Sequence, residues 1–160
     1  MKKQHFLLAL FFYAIAVFYL AATTPISPHE AKILYTSQDI VGTLMRWGES
    51  FVPGFIGLRV FYLFFGFSTI GLFYELSRRY FPKREDAYLS TLIFMFLPGI
   101  LTATTLVNVA IIVLPLVLLF VLLYEKGYFV VLPFIMLALF FIHEASIIFF
   151  VAVLLYAVIH

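Results

Sequence analysis

The sequence has no cysteine, a single tryptophan and little charge: Lys and Arg number 10, and Asp and Glu 8, in 160 residues. Without cysteine there is no disulfide framework, no thiolate metal ligand and no thiol nucleophile, and nothing marks the redox compartment. Charged residues make up 11% of the chain, against about 25% in a soluble domain. A soluble fold of this length would need polar surface that these residues do not supply, and a disordered chain would need low hydrophobicity. Both are excluded. The net charge of +2 is too small for a nucleic-acid partner, and the basic residues do not form a stripe. No metal-ligand spacing, glycine-rich phosphate loop, nucleophile elbow or redox motif occurs, so no cofactor is identified.

What is present is apolar: 65% of residues, with 21 phenylalanines that read as lipid contact and helix packing. The expected fold is all-α, a polytopic bundle of membrane helices. A crossing needs roughly 20 apolar residues. Phe6 to Ala22 and Phe55 to Leu76 each supply one. Ala87 to Tyr124 carries no charge and would make a single helix of roughly 57 Å, almost twice the hydrocarbon thickness. It must fold back, at Thr102-Ala103-Thr104-Thr105 or earlier at Pro98-Gly99. Tyr128 to His160 poses the same problem, and His143-Glu144 is the point at which to break it. The expectation is six crossings in one domain, near 6–22, 55–76, 87–103, 106–124, 128–142 and 145–160. Pro98, Pro115 and Pro133 are expected to kink packed helices.

Charge parity agrees with that count. Lys2-Lys3, the basic run 78–84 and Lys126 all fall on the cytoplasmic side if two crossings separate each pair, which puts both termini in the cytoplasm. The first apolar run is longer than a signal-peptide core, and cleavage would disturb the parity, so it reads as an uncleaved helix.

The segment 23–54 then lies outside and is the only long polar stretch. Ile33/Leu34, Ile40/Val41 and Leu44/Met45 recur at helical spacing ahead of Trp47, which predicts an amphipathic helix along the membrane surface. Ser27, Pro28 and Glu30 form a capping box at its start. Glu30 has two compatible readings, cap partner and general base on an acceptor hydroxyl. As a cap partner alone it should be largely replaceable by glutamine. Asp39 and Glu49 read as solvated loop charges. Lys32 and Arg46 either hold lipid phosphate or snorkel. Arg59, one turn into the second crossing, either snorkels or belongs to a site. Asn108 either bonds a neighbouring helix or faces a polar cavity. His143-Glu144 is either an acid/base or ligand pair, or two helix ends. Glu75 is spaced to pair with both Arg78 and Arg79.

These residues also follow a known order. Pro28-His29-Glu30-Ala31 with Tyr35 behind it, Gly48-Glu49-Ser50 leading to Leu58-Arg59, the run Tyr74-Glu75-Leu76-Ser77-Arg78-Arg79-Tyr80-Phe81, then Pro98-Gly99 and Asn108 together resemble the N-terminal part of GT-C membrane glycosyltransferases. That superfamily includes the protein O-mannosyltransferases and the lipid A aminoarabinose transferase. The resemblance covers roughly residues 5 to 127. It implies sugar transfer from a polyprenyl-phosphate carrier at the outer face of a bacterial inner membrane. Glu30 would be the general base, and His29, Arg59 and Asn108 would bind substrate or lipid phosphate; His143 and Glu144, beyond the stretch the resemblance covers, join them only as the ligand pair read from the residues. A divalent metal enters only by family analogy, with no ligand set visible. His29 stands where the family has aspartate, Asn108 where aspartate is common, and the loop between Arg46 and Leu58 is contracted. Family enzymes are far longer, so the chain reads as a fragment, a reduced relative or one part of a split enzyme. The alternative is a non-catalytic scaffold or subunit packing against a partner membrane chain. A small transporter has no support, because paired broken helices and mid-membrane charges are missing.

Overall fold

The computed structural model describes residues 2–37, 39–143 and 146–159, the side chains of 154 and 156–159 excepted. The described residues form nine helices and no strand. Two helices are long and apolar enough to cross a membrane: α1 (Lys3–Thr23) and α4 (Phe55–Tyr80). A third candidate results if α5 (Arg84–Met95) and α6 (Pro98–Thr105) count as one span, and this pair is bent by 64°. Two further apolar helices, α7 (Ala110–Glu125) and α8 (Leu132–Ile142), have 16 and 11 residues. At 1.5 Å per residue α8 is only about 16 Å long, half the hydrocarbon thickness. The last described helix is α9 (Ile147–Ile159). By length and composition alone, two or three helices are therefore candidates to cross a membrane.

Proline chemistry explains where the elements break. Pro98 occupies the first turn of α6, where a missing N–H costs nothing, so the bend falls just before it. Thr102–Thr105 was expected to turn but is helical, with the Thr104 and Thr105 hydroxyls bonded back to the carbonyls of Ile100 and Leu101. The chain turns instead between Leu106 and Val109, where Asn108 Oδ1 accepts the Ala110 N–H at 2.9 Å. Pro115 lies inside α7, whereas Pro133 sits in the first turn of α8 and opens that helix rather than kinking it.

The polar segment holds two helices rather than one. In α2 (Pro28–Thr36) the expected capping box is present, with Ser27 and Glu30 exchanging bonds of 2.9 and 3.1 Å. The helix stops at Ser37, which is extended, and Asp39 starts α3 (Ile40–Phe51) by accepting the Gly42 N–H at 2.9 Å. Asp39 is thus an N-cap rather than a loop charge, and the cap is why the expected continuous helix divides. Trp47 is on the exposed face of α3, while Val41 and Met45 pack against Leu58 and Tyr62 of α4. Gly48 and Gly57 let α3 and α4 meet, since a Cβ on Gly57 would lie 1.6 Å from the Val52 carbonyl oxygen and 3.0 Å from that of Gly48.

The bundle is organised around α4, which packs against α1, α3, α5, α6 and α7. Its ends differ in character. Phe6 stacks on Tyr74 and Tyr88, and Arg79 reaches Glu125 at 3.4 Å, so the N-terminus, the basic run 78–84 and the end of α7 share one end. Arg79 therefore pairs across helices, and only Arg78 makes the expected bond to Glu75, at 3.3 Å. The segment 24–54 occupies the opposite end. Leu7, Leu8, Phe11, Phe12 and Ile15 of α1 face outward, as lipid contact requires.

Candidate functional site

At the loop-bearing end, donors and acceptors from distant parts of the chain converge on two charges. The 24–27 connection leaves the carbonyls at the end of α1 without helical partners. Arg59, about one turn into α4, turns its guanidinium to them: Nη1 donates to Ala21 O (2.9 Å) and Thr24 O (2.8 Å), and Nη2 to Pro25 O (3.1 Å). Its remaining donors go to Glu30, Nε to Oε1 at 2.9 Å and Nη2 to Oε2 at 2.8 Å. Glu30 Oε1 also accepts the backbone N–H of Val107 at 3.0 Å, and Oε2 that of Ser27 at 2.9 Å. All five guanidinium donors and all four carboxylate acceptor positions are used. Both side chains are 1% exposed.

This saturation sets the electrostatics. Burial on its own raises the Glu30 pKa, but the Arg59 hydrogen bonds, the Ser27 and Val107 N–H groups and the Arg59 charge outweigh it and hold the carboxyl at about 2, against an ordinary 4.5. Arg59 does not snorkel. It is the buried partner of Glu30, and the pair ties α1, α2, α4 and the α6–α7 turn together.

No family model, curated protein or solved structure matches this chain.

Beside the ion pair a cavity of about 250 Å³ opens, lined by His29, Asp39, Asn108 and His143 together with Ile33 and Val109 among others. The clasp and the cavity share a frame. Glu30 is the neighbour of His29, and Val107 the neighbour of Asn108, so the ion pair fixes the backbone on two sides of the opening. Three of the residues nominated from sequence, His29, Asn108 and His143, therefore meet at one place. Two others, Glu30 and Arg59, lie behind its wall. Glu144, the sixth, lies outside the described residues. His143 ends α8, with an extended backbone at the C-cap position.

Several members were not legible. Asp39 lines the cavity, and burial, which would raise its pKa, is outweighed by the Gly42 N–H and the Ser37 hydroxyl, so the carboxyl is held below its ordinary value. The signal was local: a short acid after a serine, three residues before a glycine N–H, is an N-cap pattern. Arg46 Nη1 closes the end of α2 on the carbonyls of Leu34 (3.2 Å) and Ser37 (3.0 Å). The Tyr62 hydroxyl donates to Val41 O at 2.8 Å and pins α3 to α4. Among the described residues no group of three or more His, Asp or Glu side chains is placed to hold a metal ion.

Proposed function

We propose that the chain is the membrane-embedded N-terminal unit of a GT-C-like glycosyltransferase, and that the His29/Asp39/Asn108/His143 cavity is its acceptor pocket. The observation that carries this reading is the convergence of four polar side chains from α2, the start of α3, the α6–α7 turn and the end of α8 on one opening. Polar groups gathered at the mouth of an otherwise apolar bundle are the usual form of a ligand site. In this reading the polyprenyl-phosphate donor is held by helices beyond this unit, six crossings place both termini in the cytoplasm, and the pocket opens to the outer side of the inner membrane. Glu30 acts as the anchor of the pocket wall. To serve as a general base it would have to give up one of four hydrogen bonds and then take a proton at a carboxyl whose pKa is about 2.

The test is transfer by the whole assembly, whichever chains it includes. Asn108→Ala and His29→Ala should each lower kcat/KM for the acceptor at least about tenfold while leaving donor binding intact. Activity unchanged from the unaltered protein in both variants would sink the reading.

One observation favours a second reading, a non-catalytic scaffold: the complete saturation of Glu30 and Arg59, which suits a structural clasp. In that case cavity variants leave all activity unchanged, whereas breaking the clasp releases the partner chain.

A further inference from the structure

The polar cavity does not end blindly. Val109 and His143 also line a second, larger space of about 570 Å³, whose other walls include Val113, Val117, Leu139 and Phe149. This groove between α7, α8 and α9 is apolar along its length, apart from His143 at its junction with the cavity and Ser146. Ser146 lines it and is 6% exposed, and its buried hydroxyl has no hydrogen-bond partner among the described residues. A buried hydroxyl without a partner costs free energy, so a ligand acceptor beside it would be favourable. Ser146 N–H bonds to His143 O at 3.0 Å, which places that hydroxyl close to the junction of the two spaces.

Charge narrows the occupant further. Among the described residues no Lys or Arg lines the polar cavity, and Asp39 is its one carboxylate. Arg46, whose charge reaches Asp39, has its guanidinium turned to the end of α2. A purely anionic head would meet repulsion at Asp39 without a full cation to offset it. A head with both an ammonium and a phosphate has a partner for each sign: Asp39 for the cation, and the His29 imidazole with the Asn108 amide for the phosphate oxygens. Asp39 Oδ1 accepts the Gly42 N–H, and a carboxylate retains further acceptor capacity for an ammonium.

We infer that the cavity and the groove form one binding site for a phospholipid with a primary-ammonium head, its head in the cavity, an ester carbonyl at the Ser146 hydroxyl and an acyl chain in the groove. The inference rests on the proposed reading of the cavity as a ligand pocket and adds the class of its ligand.

The experiment is native mass spectrometry of the protein released from nanodiscs of mixed phosphatidylethanolamine and phosphatidylglycerol, with soluble glycerophosphoethanolamine as a separate arm. Phosphatidylethanolamine should be retained over phosphatidylglycerol by about tenfold or more, as expected for one charge-assisted contact. The soluble head alone should not be retained, because it leaves the groove empty. Asp39→Asn keeps the helix cap and removes the charge. It should abolish the preference between the lipids, and Ala110→Trp, which fills the groove, should lower retention of both. Equal retention of the two lipids by the unaltered protein overturns the inference, as does a preference that survives Asp39→Asn. Loss of the transfer reading leaves this outcome untouched, since no turnover is measured; loss of lipid preference leaves transfer to another acceptor standing.

Discussion

Replacing Glu30 by glutamine is the most informative single change. A glutamine side chain has one carbonyl oxygen, whereas the site presents four donors to the carboxylate: Arg59 Nε and Nη2, and the N–H groups of Val107 and Ser27. Whichever way the amide turns, its NH2 faces two of those donors. The variant loses two hydrogen bonds and leaves a guanidinium buried beside a neutral partner, and breaking one side of a buried pair typically costs about 3–5 kcal/mol. Linkage, applied to the same contacts, gives a figure of similar size. A carboxyl lowered from 4.5 to about 2 contributes about 3 kcal/mol of stability. Because the folded pKa is the depressed one, this contribution is fully present above about pH 4.5 and is lost as pH falls toward 2. Glutamine is thus a poor substitute here, contrary to what a cap partner alone would imply. The assay is thermal unfolding in detergent at pH 7 and pH 3 for both proteins. The unaltered protein should lose most of its advantage over Glu30→Gln at the lower pH. A difference below about 1 kcal/mol at pH 7 would refute the clasp and return Glu30 to an ordinary cap.

Three further outcomes are expected. Asp39→Ala should destabilise the α3 start by about 0.5–2 kcal/mol in the same unfolding assay, and Asp39→Asn should restore most of it. Gly57→Ala should cost about 1–3 kcal/mol because its methyl would overlap the Val52 carbonyl, whereas Gly71→Ala, which meets no atom within 4 Å, should be neutral or stabilising. For the proposed orientation, a cysteine at the exposed Asn108 should react with an impermeant maleimide in intact cells and one at Lys83 should not; a cysteine at Thr104, which is fully buried, should stay unlabelled. Labelling at Lys83 would invert the topology.

Local chemistry was legible and distant pairing was not. The Ser27–Glu30 capping box spans three residues, so the sequence pattern and the geometry coincide. The role of Glu30 depends on Arg59, 29 residues away, and on Val107, 77 residues away, and no periodicity links those positions. Arg59 could be singled out because a charge in an apolar run is conspicuous, yet its partner could not. The crossings were legible where length and apolarity agreed, in α1 and α4. They were less so beyond Ala87, where uniform apolarity carries no period and only proline marks a break. His29, Asn108 and His143 were each nominated singly; that they share one wall follows from the turn at 106–109, which the threonine-rich stretch before it concealed.

The clasp also has a consequence for biogenesis. Glu30 leaves the ribosome 29 residues ahead of Arg59 and 77 ahead of Val107. At about 5–20 residues per second, roughly 4–15 s pass between synthesis of the carboxylate and arrival of its last donor. Until Arg59 emerges, the carbonyls at the corner between α1 and α2 have only water to satisfy them. A nascent chain stalled after α4 would hold Arg59 without the Val107 contact, and its 24–54 segment would remain open to proteases that survey unfinished membrane proteins. The first polar segment to be made is in this way among the last to set.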